Sequence, residues 1–159
     1  MRTIEVKLYK FSELSDKAKD RAISDYRASD TEYHFWHDNF DSLKVFADFF
    51  NVKIVKYEVG TCSYSYVETD ADNSHFRGKR LAQFDRDNMP TGYCADCSLW
   101  MAFYDSFKKS GDAKQAFNDA IDNWVSDTVK EMEHQSSDEA ITESIECNEY
   151  EFDEKGVMV

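Results

Sequence analysis

Ser136–Gly156, SSDEAITESIECNEYEFDEKG, changes its apolar period partway along. Ala140, Ile141 and Ile145 recur at helical spacing, and Ser136 followed by Glu139 makes a capping-box pattern. Together they predict a short helix with Glu139, Glu143 and Glu146 turned to solvent. After Asn148 the period falls to 2. Tyr150 and Phe152 alternate with Glu149, Glu151 and Asp153, and Lys155 with Gly156 supplies a turn. That predicts a closing strand or hairpin, placed to pair with the first strand of the chain. One helix and one strand within a single short stretch already favour an α+β fold. The stretch holds eight carboxylates and one lysine, so its charge rides on ordered elements.

The other end of the chain repeats the mixture. In TIEVKLYKF, Ile4, Val6 and Leu8 alternate with Glu5, Lys7 and Tyr9, which predicts a half-buried strand over residues 2–9. SELSDKAKDRAISDYRAS then offers Ser12 or Ser15 as an N-cap, with Leu14, Ala18, Ala22, Ile23 and Tyr26 at helical spacing as far as about Ala28. A break at SDTE precedes a second, strongly amphipathic helix whose apolar stripe is Phe35, Trp36, Phe40, Leu43, Phe46, Ala47 and Phe50.

From VKIVKYEVG to CSYSYVET the period returns to 2 around Gly60 and Thr61, the pattern of a β-hairpin. Residues 70–92 have no clean period and contain the only proline, Pro90, so they read as a long surface excursion. Two further helices follow. The first is stopped by Gly111; the second turns Ala113, Ala116, Phe117, Ala120, Ile121, Trp124 and Thr128 inward and Asp112, Asp119, Asp122 and Glu133 outward. The expected fold is α+β, a small and mostly antiparallel sheet packed with about five helices, in one domain over residues 1–159.

A chain of 159 residues buries roughly two thirds of its unfolded surface, and a single core is expected. Twelve Phe, nine Tyr and three Trp against one Pro and five Gly exclude intrinsic disorder despite a formal charge of -13. No apolar run is long enough to span a bilayer and the opening residues alternate, so no membrane association and a cytoplasmic location are expected. The acidity is lopsided. Residues 1–111 carry 18 acids against 16 bases, whereas residues 112–159 carry 14 against 3, net -11. Such a field repels nucleic acid and steers basic partners, so direct nucleic-acid binding is not expected.

The segments LYKFSELSDKAKDRAISDYR and SDEAITESIECNEYEFDEKGVMV, with Gly92, Tyr93 and Cys94 between them, resemble a group of small acidic proteins encoded by tailed phages and prophages. These share a strand followed by F-x-E-L-S-D-x-A-K, a G-Y-C stretch and an ending E-x-N-x-Y-x-F-x-x-x-G. The resemblance implies phage origin and action in the host cytoplasm. It assigns no activity, since such chains are described only as uncharacterised or antitoxin-like. The matched residues read as a cap, core positions and a final strand.

Candidate chemistry is sparse. Cys94 and Cys97 form a CxxC pair that, with Cys62 and His75, would complete a tetrahedral zinc site, but a second ligand pair at motif spacing is missing. Packing of the two cysteines as small apolar residues at a helix start is the plainer reading, and no cofactor is expected. His34 and His37 beside Asp38 and Asp41 would suit a general-base pair, and equally an exposed helix face. No phosphate loop or nucleophile elbow is present, so the chain is not expected to be an enzyme. The basic island at Arg77, Lys79, Arg80 and Arg86 reads as pairing within the chain with the acidic helices.

What remains is the charge itself. Solubility is its simplest use. The functional expectation takes Asp112, Asp119, Asp122, Glu133, Glu139, Glu143 and Glu146 as a partner-binding surface. An acidic, rigid phage protein of this kind would inhibit a basic, nucleic-acid-binding host protein, such as a defence protein, by DNA mimicry. The alternatives are an antitoxin-like protein neutralising a cognate toxin by direct binding, and a small zinc-binding module.

Overall fold

The computed structural model describes residues 7–29 and 34–159, with the side chains of residues 34–36, 79 and 80 outside the description. The elements are β1 (Tyr9–Lys10), a 3-10 turn (Phe11–Glu13), α1 (Asp16–Ser29), α2 (His34–Phe49), β2 (Ile54–Glu58), β3 (Tyr66–Thr69), α3 (Lys79–Ala82), α4 (Ala95–Ser110), α5 (Ala113–Gln135), α6 (Asp138–Cys147) and β4 (Glu151–Phe152). The fold is α+β, and its strands form two separate antiparallel pairs, β1 with β4 and β2 with β3. Where length predicts one core, the buried apolar side chains form two clusters among the described residues. They belong to two compact units, one built from both chain ends (Met1–Tyr33 and Glu133–Val159) and one from His34–Met132.

In the unit built from the chain ends, Tyr9 lies opposite Phe152 and Lys10 opposite Glu151, so the expected pairing of the last strand with the first is present. Residues 2–6 of the expected first strand lie outside the described residues, as does most of the SDTE break. Ser15 is the capping residue of α1, its Oγ accepting from the Ala18 N–H at 3.4 Å. Ser12 sits instead in the 3-10 turn. The cap of α6 is Ser137, whose Oγ accepts from the Ala140 N–H at 3.2 Å, which corrects the expected Ser136–Glu139 box by one residue. Ser136 Oγ donates to the Glu133 carbonyl, closing the end of α5.

Phe11, Leu14, Ala18, Ala22, Ile141, Ile145 and Phe152 make the core of this unit. The apolar faces of α1 and α6 therefore meet, as their helical periods require. The closing turn is held by Asp153, whose carboxylate accepts from the N–H groups of Lys155 and Val157 at 2.8 and 2.9 Å. Those bonds favour the ionised form, the Val157 one most, and hold the carboxyl below its ordinary range.

In the second unit Leu43, Phe46 and Ala47 of α2, with Phe50 just past its end, pack with Leu99, Trp100 and Phe103 of α4 and with Ala116, Phe117, Ala120, Ile121 and Trp124 of α5. Phe46 stacks on Phe117 at 5.3 Å and meets Trp100 edge-on at 4.7 Å. The hairpin is present, with Glu58 opposite Tyr66 and Ile54 opposite Thr69. Gly111 ends α4 at φ 70, its N–H donating to the Phe107 carbonyl.

The excursion over residues 70–92 is less superficial than its lack of period implies. Phe76 is buried and packs on Phe117 at 5.3 Å, while Phe84 packs on Phe103 at 4.6 Å. Single aromatic anchors leave no periodic trace in a sequence, which is why a surface path was the expected reading. Among the described residues no helix is long and apolar enough to cross a membrane.

Gly156 fixes how closely the closing turn approaches α1. Its φ is +82, and a Cβ there would fall 2.0 Å from the Ala18 carbonyl oxygen. Gly156→Ala therefore combines a left-handed backbone with a clash against main chain, and should destabilise the protein by about 3 kcal/mol in urea unfolding. A loss under about 1 kcal/mol would mean that the turn relaxes away from α1 freely.

Candidate functional site

The residues expected to face a partner divide between the two units. Asp112, Asp119 and Asp122 belong to one, and Glu133, Glu139, Glu143 and Glu146 to the other. Asp112 is occupied as a cap, its Oδ1 accepting from the N–H groups of Lys114 and Gln115 at 3.0 and 3.1 Å. Asp119 is not outward as expected. It is half-buried and accepts a hydrogen bond from Ser106 Oγ, because α4 passes close to that side of α5. Asp122 and Glu133 are exposed.

The coherent set lies on α6. Ile141 and Ile145 are 2% and 0% exposed, which fixes the rotation of the helix about its axis. Glu139, Glu143 and Glu146 then fall on the opposite side, all exposed. At 1.5 Å of rise per residue, the first and last of these are about 10 Å apart along the helix. Among the described residues none of the three makes an ion pair, whereas Asp138 is paired with Arg27, which also donates from Nε to the Ser136 carbonyl at 2.9 Å. The result is an ordered row of uncompensated carboxylates on one helix. It is equipped to meet a row of cations.

The zinc candidates are not assembled. Among the described residues no group of three or more His, Cys, Asp or Glu side chains is placed to hold a metal ion. His75 Nδ1 accepts from the Asp72 N–H at 3.0 Å in a local turn, and the Asp72 carboxyl is held below its ordinary range, chiefly by the hydrogen bond from the Ser74 hydroxyl. Cys62, Cys94, Cys97 and Cys147 are free thiols and all exposed, so the expectation that Cys94 and Cys97 pack as apolar residues is corrected. Helical rotation gives the inward positions of α4 to Ala95, Asp96 and Leu99 instead.

The His34 side chain lies outside the described residues, and His37 is exposed. The neighbouring Asp41 pairs with Lys44 at 3.1 Å. The negative charge of Asp38 and a hydrogen bond to it hold the Tyr93 phenol above its ordinary range. In the basic island Arg77 is exposed, and the side chains of Lys79 and Arg80 lie outside the described residues. Arg86 faces Asp87 and Asp105 at 3.2 and 3.9 Å, so its partners lie in the excursion and on α4 and not on the acidic helices as expected.

Sequence reasoning missed the most buried polar group near α4. Asp96, between the two cysteines, is 0% exposed. Its carboxylate accepts from the Thr91 N–H at 3.0 Å, the Gly92 N–H at 3.1 Å and Thr91 Oγ1 at 3.0 Å, while Thr91 Oγ1 lies 2.9 Å from Ser42 Oγ of α2. This ties the end of the excursion to α2 and α4. The available signal was an acid in the first helical turn, just after a Pro-Thr-Gly stretch.

Asp96→Ala leaves buried donors unmet and should destabilise the protein by about 2–3 kcal/mol, with Asp96→Asn losing less, read by denaturant unfolding. The start of α4 also sets the thiol chemistry. Cys94 is in the right-handed helical region and the Cys97 N–H donates to its carbonyl at 3.0 Å. Helix geometry then puts their Cα atoms about 5 Å apart, within disulfide range. Oxidised glutathione should link Cys94 to Cys97 inside the chain, read by peptide mapping; separate glutathione adducts on the two cysteines would show that their side chains diverge.

No protein-family model, curated protein or solved structure matches this chain.

Proposed function

We propose that the protein is a non-enzymatic, acidic interaction protein of phage origin. It works in the host cytoplasm, where it binds and inhibits a basic, nucleic-acid-binding host protein by occupying the groove that takes the nucleic-acid backbone. One observation carries this reading: Glu139, Glu143 and Glu146 stand exposed and unpaired on a helix whose rotation is fixed by buried isoleucines. A surface that served solubility alone would need charge but no order. The concentration of net -11 in residues 112–159 supplies the attractive field, and the α6 row supplies fixed spacing within it.

Recognition of this kind is carried by many weak contacts. Each exposed pair contributes about 0.2–1 kcal/mol, so single substitutions should be close to silent. Glu139→Lys, Glu143→Lys and Glu146→Lys together should abolish capture of the partner from host lysate at low salt and slow association more than they speed dissociation. The matched control is Asp20→Lys, Glu68→Lys and Asp105→Lys, three exposed acids scattered over three elements, with the same change in net charge. Equal loss from both sets would show that total charge, and no α6 surface, is responsible. A partner retained at high salt, or indifferent to competing DNA, would refute the electrostatic reading.

A further inference from the structure

The first turn of α4 sets two thiols on either side of a buried acid. Cys94 stands just before the helix in helical conformation, and the Cys97 N–H donates to its carbonyl at 3.0 Å, so both cysteines belong to one turn. At about 100° per residue they lie about 60° apart around the axis. Ala95 and Asp96 between them are 8% and 0% exposed, and with Leu99 they fix the rotation of the turn. Both thiols are consequently on its outer side, free and exposed.

Asp96 makes the same turn a fastening. Its carboxylate accepts from the N–H groups of Thr91 and Gly92, the last residues of the excursion, at 3.0 and 3.1 Å, and Thr91 Oγ1 lies 2.9 Å from Ser42 Oγ of α2. Those bonds hold only while the turn that carries Asp96 is formed. Helix ends open more readily than helix middles, because their outermost N–H groups lack intrahelical acceptors. Cys94 makes no side-chain cap bond that would steady this end. A covalent link from Cys94 to Cys97 would close a ring around Ala95 and Asp96 and restrict that opening.

We propose that Cys94 and Cys97 form a reversible redox switch, whose disulfide locks the first turn of α4 and with it the attachment of Thr91 and Gly92. The reactant is a small disulfide such as oxidised glutathione. One thiolate of the pair attacks a glutathione sulfur and releases one glutathione thiolate, leaving a mixed disulfide. The second thiolate then attacks the bound cysteine sulfur, displaces the other glutathione and completes the Sγ–Sγ bond. The chain gives up two electrons and two protons, and both pass to the glutathione, which leaves as two thiols. Reduced glutathione reverses each step, because the bond lies on the exposed side of the helix. Cys62, between β2 and β3, and Cys147, at the end of α6, have no second cysteine one turn away and form no such ring. The switch is independent of the α6 reading, since it lies in the other unit and uses no charged surface.

The test equilibrates the full chain in glutathione buffers running from fully reduced to fully oxidised, with the state of each cysteine read by mass spectrometry after thiol trapping. The Cys94–Cys97 disulfide should form and open reversibly within that range. Amide hydrogen exchange at Thr91, Gly92 and Cys97 should be at least about tenfold slower in the disulfide form. Cys94→Ser with Cys97→Ser, changed at two exposed sites, should show no redox-dependent exchange at those amides; Cys94→Ala with Cys97→Ala serves instead if the serine pair folds poorly. The switch is overturned by thiols that stay unlinked or carry only separate glutathione adducts at every ratio, or by a disulfide that reduced glutathione never opens. It is equally overturned if exchange at Thr91 and Gly92 is unchanged or faster on oxidation, or if the redox response persists without the two thiols.

Discussion

Everything in the unit that carries α6 depends on one closure, the pairing of Tyr9 with Phe152. It brings together segments from the two ends of the chain, so the loop-closure entropy of nearly the whole sequence has to be met before any contact there is rewarded. The return comes from Phe11, Leu14, Ala18, Ala22, Ile141, Ile145 and Phe152, which bury one another. Gly156 permits the final approach because nothing larger fits against the Ala18 carbonyl. α6 has no core of its own, and its acidic face is presented in a fixed direction only because the chain ends have met.

That dependence explains how so acidic a helix is tolerated. Glu139 with Glu143 and Glu143 with Glu146 are like charges at spacings of four and three, each unfavourable by about 0.2–0.5 kcal/mol. Asp138 and Glu139 in the first turn recover part of this through the helix dipole, and Ser137 caps the same end. Burial of Ile141 and Ile145, each about 1.5–3 kcal/mol, outweighs the remainder. Tertiary packing therefore decides the helix, and the charges are free to be where a partner would need them.

How much of this was legible in the sequence follows the same physics. The five longer helices, the hairpin, the Gly111 stop and the closing pair were readable because each leaves a period or a breaker, whereas the single turn of α3 leaves neither. Ile141 and Ile145 announced the α6 core face, and with it Glu139, Glu143 and Glu146 as outward. Asp119 was misplaced because helical period reports only the helix's own rotation, and α4 supplies the Ser106 hydroxyl from outside it. Asp96 and the anchors Phe76 and Phe84 were invisible for a related reason: each is a single side chain fixed by distant residues. The division of the core into two clusters was hidden because one of them is assembled from the two ends.

Charge spacing limits what α6 can imitate. Three carboxylates over about 10 Å of helix give about 5 Å per charge, against about 3.4 Å per phosphate along one DNA strand and about 1.7 Å for the duplex. The α6 row thus approaches the density of a single backbone and falls well short of both strands together. Exposed Glu149, Glu151 and Glu154 follow it in the same unit, so the charge continues past the helix onto the closing strand and turn. A complementary surface would be one that tracks one phosphate backbone by electrostatics alone. Contacts to base edges have no counterpart on a row of carboxylates, so the mimicry we propose would extend to the phosphate backbone alone and not to the sequence-reading part of a nucleic-acid groove.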